Sequence, residues 1–516
     1  MIKDLTQGKS SKVLWLFCIP LLVSAVFQQL YNMADSIIAG RVLGESALAA
    51  VGASYPITMI FMAIALGCNL GCSVIISKLF GEKKILEVKS GVSTIMISVA
   101  VIGVVLTAVG IGLGQPVMSL LNTPADIMHD SLMYLYIYIG GFLFVLLYNV
   151  CTGIFSALGD SRTPLVFLVA SSVANVALDL VFTMVVPLGV AGLAWATFLA
   201  QGVAGLLCIL TLFRRLSKLR CEGKAKAFSF SLLKQMCYVA IPSVLQQSFV
   251  SAGNLIIQWI INGYGSSVLA GYIAAIKLNT FVLTTITAVA GGLSSFTAQN
   301  LGAGQAARVR QGTRVSVLMA IAIVVPFSIL YSVIPELMLQ LFLEESSAVA
   351  VSAGVSFLTI VSPFYAVISV KVTLDSVLRG SQSMASFMVA TFADLLIRVV
   401  LCFALNPILG ITGIWWSWPI GWGAATALSV GLYLSFRWYK SDRAKRKFAA
   451  LAQADVQYVH ALQLPQSAET ADAAAIAALA QSPAVQDEQD KTPAADTTRI
   501  RPSGKTETPK HRFLHA

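Results

Sequence analysis

Apolar residues run in long stretches over most of the first 436 positions, interrupted by short clusters of Lys, Arg, Gly and Pro. An α-helix rises about 1.5 Å per residue, so about 20 apolar residues cross a bilayer's hydrocarbon core. Twelve stretches reach that length, at about 13–40, 47–77, 90–114, 131–158, 163–187, 190–213, 236–262, 267–298, 313–334, 351–380, 385–409 and 412–436. The pattern predicts an all-α polytopic membrane protein with twelve transmembrane helices. Several spans exceed what a bilayer needs, implying tilt or protrusion. Pro20 and Pro242 fall inside the first and seventh spans, where a missing backbone donor favours a bend.

The two halves of this pattern are copies. Leu79-Phe80-Gly81 aligns with Asn300-Leu301-Gly302 at an offset of 221, and the same offset joins Gly159 to Gly380, Gly189 to Gly410, Gly192 to Gly413 and Trp195 to Trp416. Six spans per copy is an even number, so both copies insert the same way up. A pseudo-twofold axis along the membrane normal then relates them, with a site expected near the midplane. The predicted organisation is an N-terminal lobe at 1–213, a cytoplasmic linker at 214–235, a C-terminal lobe at 236–447 and a disordered cytoplasmic tail at 448–516. The tail is rich in Ala, Gln, Asp, Thr and Pro and lacks apolar periodicity.

Composition agrees with this reading, since the chain is 57% hydrophobic and only 11% charged. Loop charge orients it: twenty-five Lys and Arg residues lie on one side, and Arg41 alone on the other. Basic loops stay cytoplasmic, so both termini and the linker are expected there. The net charge of +11 is largely this bias and is no sign of nucleic-acid binding. The first apolar run lacks a small-residue cleavage site and reads as a retained span rather than a signal peptide. Eight cysteines are scattered without metal-type spacing, and no histidine falls inside a span. A proton relay would therefore use carboxylates. No Walker-type phosphate loop, dinucleotide fingerprint or nucleophile–base arrangement appears, which points away from an enzyme and from direct use of ATP.

The ionisable residues inside spans are Asp35, Asp179, Asp375, Asp394, Lys277, Lys371 and Arg398. A charge at membrane depth costs several kcal/mol unless it is paired or faces water, so each is a candidate for function. Asn175 and Asp179 are four apart, which stacks them on one helix face about 6 Å apart. Asp35 and Asp179 have no basic neighbour within a turn; if their helices meet, they can bind H⁺ or Na⁺ in competition with substrate. Asp394 and Arg398 read as an i,i+4 pair, and Lys371, Asp375 and Arg379 as a one-face ladder. Lys277 reads either as a counter-charge to Asp375 or a carboxylate across the cleft, or as a snorkelling side chain. Gln28, Asn32, Gln246 and Asn254 occupy roughly matched places on the first and seventh spans and suggest a wet cleft there. Trp195 is a candidate for its apolar wall, as are Met59, Met62, Phe61 and Phe155.

The run Tyr31-Asn32-Met33-Ala34-Asp35-Ser36-Ile37-Ile38-Ala39-Gly40-Arg41-Val42-Leu43-Gly44 resembles the opening signature of the multidrug and toxic compound extrusion (MATE) family. Gln299-Asn300-Leu301-Gly302-Ala303-Gly304 with Arg308-Val309 is similar to that family's loop after the eighth helix. Asn175-x3-Asp179 and Pro187-Leu188-Gly189-Val190-Ala191-Gly192 resemble its fifth and sixth helices. The resemblance covers about residues 10–440. It implies an exporter of two six-helix lobes in a V, driven by H⁺ or Na⁺ entry. It also implies a cation site at Asp35, Asn175, Asp179 and Thr197, where Asp35, Asn175 and Asp179 would ligate the metal if Na⁺ is used. The family's other arrangement, a seventh-helix glutamate with a tenth-helix aspartate, is not matched, because the seventh span has no acid.

The function expected is secondary active efflux of amphipathic or cationic organic compounds in exchange for H⁺ or Na⁺. It would work by alternating access of two lobes in a bacterial inner membrane, as a monomer without cofactor. Its partners would be small-molecule substrates and the lipid bilayer. The alternative is a flippase for lipid-linked precursors of the same superfamily, which would want a larger, strongly basic cavity. A passive channel, or a membrane anchor working through its tail, fits the buried acids and the repeat less well.

Overall fold

The computed structural model describes residues 3–43, 45–121, 123–219, 221–340, 342 and 348–435. The tail expected from 448 onward lies outside these residues. The N-terminal copy comprises α1 (Ser10–Val42), α2 (Glu45–Gly81), α3 (Ile85–Leu120), α4 (Ala125–Ala157), α5 (Arg162–Leu180) and α6 (Val190–Ser217). The C-terminal copy begins with α7 (Phe230–Asn262), α8 (Ser266–Gly302), α9 (Ala306–Val333) and a short α10 (Pro335–Gln340). It continues with α11 (Ala348–Val361), α12 (Tyr365–Gly380), α13 (Met384–Leu409) and α14 (Ile411–Leu434). Among the described residues there is no strand. Eleven helical segments, one of them the α11–α12 stretch, are long and apolar enough to span a membrane. The twelfth expected span is α14, a 24-residue helix carrying Trp415, Trp416, Trp418 and Trp422.

Two spans expected to be continuous are interrupted. After α5 the chain widens into a π-helical turn at Val181–Val185, where the Val186 amide donates to the Val181 carbonyl at 2.8 Å. The Thr183 hydroxyl takes the Asp179 carbonyl at 2.6 Å. Such wide turns are rare and concentrate at functional sites. In the C-terminal copy, Pro363 breaks the tenth expected span at a 3-10 turn, Ser362–Phe364. Hydroxyls cover the polar groups this exposes: Ser328 donates to the Ser362 carbonyl at 2.5 Å, and the Ser332 and Ser362 hydroxyls pair at 2.8 Å.

The repeat is visible in the backbone. Gly189 and Gly410 both adopt the left-handed region, at φ 60° and 59°, where they lead into α6 and α14. At the crossing of α2 and α8, a Cβ on Gly81 would strike the Gln299 carbonyl, and one on Gly302 would strike the Lys78 carbonyl. Lys78 and Gln299 are themselves 221 apart, so the contact is reciprocal, as a twofold axis requires. The hydroxyls of Ser73 and Ser295 meet nearby at 3.1 Å. Gly67 and Gly71 let α2 approach α7, where a Cβ would collide with Val244 and Ala240. These contacts between the copies lie toward the end of the molecule that carries the lysine-rich loops. The core of the C-terminal copy is aromatic: Tyr272 stacks on Trp415 at 5.5 Å, and Phe357 meets Trp415 and Trp418 edge-on.

Candidate functional site

The site sits where α1, α5 and α6 meet. On α5, Ser171, Ser172, Asn175 and Asp179 share the buried face, with Asn175 2% and Asp179 0% exposed. The carboxyls of Asp35 on α1 and Asp179 on α5 lie close enough to act on each other directly. Two bare carboxylates that close repel, which favours holding a cation or a proton between them. One oxygen of each acid, Oδ1, is buried without a protein partner. Among the described residues, no Lys or Arg pairs with either acid.

Asn175 links this pair to α6. With its amide oriented to suit both neighbours, its nitrogen donates to Asp179 Oδ2 at 3.2 Å and its oxygen accepts the Thr197 amide at 3.1 Å. The Asn175 side chain also lies 3.3 Å from the Thr197 hydroxyl. The Tyr31 hydroxyl lies near Thr197, and Tyr134 on α4 lies within electrostatic reach of both acids. In that orientation Asn175 turns its nitrogen to Asp179, so the carboxylates and hydroxyls supply the hard oxygen ligands. That set suits a proton or Na⁺ and not a softer metal.

A small cleft opens beside these groups, lined by Gln28, Tyr31, Leu168, Ser171, Ser172, Asn175 and Gln201. Its lining is uncharged, and Tyr31 and Asn175 belong to both cleft and acid pair. The structure therefore gathers Asp35, Asn175, Asp179, Thr197 and Gln28. It does not bring the other expected cavity residues to this cleft. Asn32 bonds its neighbour Gln29 at 3.3 Å. Gln246 and Asn254 stay on α7, the latter with a buried, unpartnered Oδ1. Trp195 packs edge-on against Phe198 at 5.2 Å, and the Lys277 ammonium stands over the Phe342 ring at 5.7 Å. Tyr134 and Gln201 had no sequence signal, being on other helices than the acids. Tyr31 did have one, since it lies four residues before Asp35.

The C-terminal copy holds the other acids differently. Lys371 on α12 bridges Asp375 at 3.2 Å and Asp394 on α13 at 3.0 Å. Ser429 on α14 donates to Asp375 at 2.7 Å. The expected Asp394–Arg398 pair is not formed: Asp394 turns to Lys371, and Arg398 stacks on Trp418 with its guanidinium 4.6 Å from the ring centre. A flat cation over an indole keeps favourable contact in an apolar core, and both acids turn to Lys371 instead. Lys277 is therefore not the counter-charge of Asp375.

The sequence model of the MatE family matches twice, at residues 20–181 and 242–404, once in each copy. The chain belongs to the MatE family. Among its relatives is the "Probable multidrug resistance protein YpnP" of Bacillus subtilis, 28% identical over 86% of this chain and 97% of the relative. Another is the "FAD transporter" of Shewanella oneidensis, 27% identical over 60% of this chain and 70% of that protein. In fold it is similar to a solved MATE structure in complex with MaL6, with a TM-score of 0.80 at 22% identity, covering 86% of this chain and 99% of that one. The two matched regions coincide with the two helical copies, so this MATE transporter is built from the repeat itself.

Proposed function

We propose that this MATE transporter exports amphipathic or cationic organic compounds from the bacterial cytoplasm in exchange for H⁺ or Na⁺. The observation that carries the reading is the sharing of Asn175 and Tyr31 between two adjacent acids, with no basic partner among the described residues, and an uncharged cleft. An ion arriving at Asp35 and Asp179 alters the groups that a cleft occupant touches, so the two bind in competition. That competition is a coupling free energy and is reciprocal. Loop charge supports cytoplasmic termini. The reciprocal α2–α8 crossing then closes the cytoplasmic end, which corresponds to an outward-facing state of a two-lobe alternating-access cycle. The names of relatives such as YpnP support a multidrug substrate range. A flippase for pyrophosphate-linked lipids is disfavoured, because no Lys or Arg lines the cleft. The test is transport in proteoliposomes under separately imposed pH and Na⁺ gradients. Efflux that proceeds equally with neither gradient would overturn the antiport reading.

A further inference from the structure

The motif Gln299–Arg308 is not used by the acid pair or the cleft, and its side chains differ from those of its counterpart in the other copy. At the 221 offset, Gln299, Asn300 and Arg308 correspond to Lys78, Leu79 and Glu87. The difference has a physical cause, because the segment preceding α1 docks on this motif. The Leu5 amide donates to Gln299 Oε1 at 3.0 Å, and Gln299 Nε2 reaches across to the Ala157 carbonyl of α4 at 2.6 Å. The Leu5 carbonyl accepts from Arg308 Nη2 at 3.2 Å and from Asn300 Nδ2 at 3.4 Å. Arg308 also takes the Gly8 carbonyl at 2.6 Å and Asn300 Oδ1 at 2.9 Å. Leu5 is 1% and Thr6 7% exposed, so the middle of the strap is buried while Lys3, Gln7 and Gly8 stay exposed.

The same strap is held to the N-terminal copy by different bonds. The Lys3 amide donates to the Leu158 carbonyl at 3.1 Å, and Asp4 pairs with Lys83 in the α2–α3 turn. Gly159 must lack a Cβ, since one would strike the Lys3 carbonyl. Burial raises the Asp4 carboxyl, but its bonds to Lys83 and Thr6 outweigh that and hold it below the usual range. The C-terminal copy has a looser counterpart, in which linker residues Lys226 and Ser229 donate backbone amides to Ser90 and Thr94 of α3, each at 2.9 Å.

We infer that residues 3–8 form a releasable latch that ties the two copies together at their cytoplasmic end, with Gln299, Asn300 and Arg308 as its catch. The strap is continuous with α1 and anchored by Leu158 and Lys83, so it stays with the N-terminal copy when that end opens. The bonds that break are side-chain bonds on α8 and α9, which water can replace. This rests on the alternating-access reading above, but its first test does not require transport. Ser295 is 2% exposed at the closed crossing. In a background free of the eight native cysteines, Ser295→Cys reports opening through its rate of reaction with a membrane-impermeant maleimide applied from the cytoplasmic side. Arg308→Gln removes charge-assisted bonds and raises that rate about tenfold over the intact strap, with Gln299→Ala in the same direction as a second variant. Second, a disulfide between Leu5→Cys and Asn300→Cys stops transport until it is reduced. Equal labelling rates in monodisperse protein, or undiminished transport with the disulfide fully formed, overturns the latch. Faster labelling in a protein that does not transport would instead overturn the antiport reading and leave the latch standing.

Discussion

Each copy of the repeat carries two aspartates within its expected spans, and the two pairs are treated in opposite ways. Asp375 and Asp394 share Lys371, a cation supplied by the chain and fixed in place. Asp35 and Asp179 have no such partner among the described residues and meet carboxyl to carboxyl. A tethered ammonium never leaves, and Arg379 adds a second fixed positive charge within reach of Asp375, so the C-terminal acids keep their compensating charge without an ion from solution. Under the function proposed above, the N-terminal pair borrows its positive charge from solution and gives it back. In that reading, duplication supplied one framework twice, and the missing lysine leaves one copy responsive.

The largest effect that would break this contrast is at the scaffold. Lys371→Met strands two buried carboxylates and should destabilise the protein by about 3–5 kcal/mol. That would appear as a lower unfolding temperature in detergent, with recovery when Asp375→Asn and Asp394→Asn are added; an unchanged unfolding temperature would contradict the scaffold role. Asp179→Asn should do the reverse, keeping the fold while removing ion-driven efflux. The coupling lost is typically about 1–3 kcal/mol, measured as the gradient-dependent part of transport in proteoliposomes. Asn175→Lys sharpens the comparison by giving the N-terminal pair its own tethered cation. The expected outcome is a protein at least as stable as the parent, with transport abolished and no response to an applied gradient. The smallest effect belongs to Thr197→Ala, which leaves both acids in place. It removes one neutral hydroxyl contact worth about 1 kcal/mol, so apparent ion affinity should fall several-fold with maximal rate little changed.

The helical framework and its duplication were legible because both rest on local rules: apolar length, and glycines at fixed offset where a side chain would collide. The acid site was legible because an ionisable group inside an apolar run is costly, and Asp35, Asn175 and Asp179 had no local basic partner. What stayed hidden depends on which helix lies beside which. Asp394 has an i,i+4 arginine in sequence, yet its partner is Lys371 on another helix. Tyr134 reaches the acids from α4, and no spacing along the chain announces that. The π turn after Asp179 was hidden for another reason. Val181–Val185 is an ordinary apolar run, and the wider winding is expressed only in the backbone bonds it makes.

Gly81 and Gly302 carry one more consequence. Where α2 and α8 cross, each presents bare main chain to the other, so no interlocked side chains have to disengage for the surfaces to part. In the alternating-access reading proposed above, the crossing is a smooth seam, where parting meets little steric friction and the surfaces reseat in the same register. A methyl group on either glycine would be a wedge, tilting the two bodies apart from one side only.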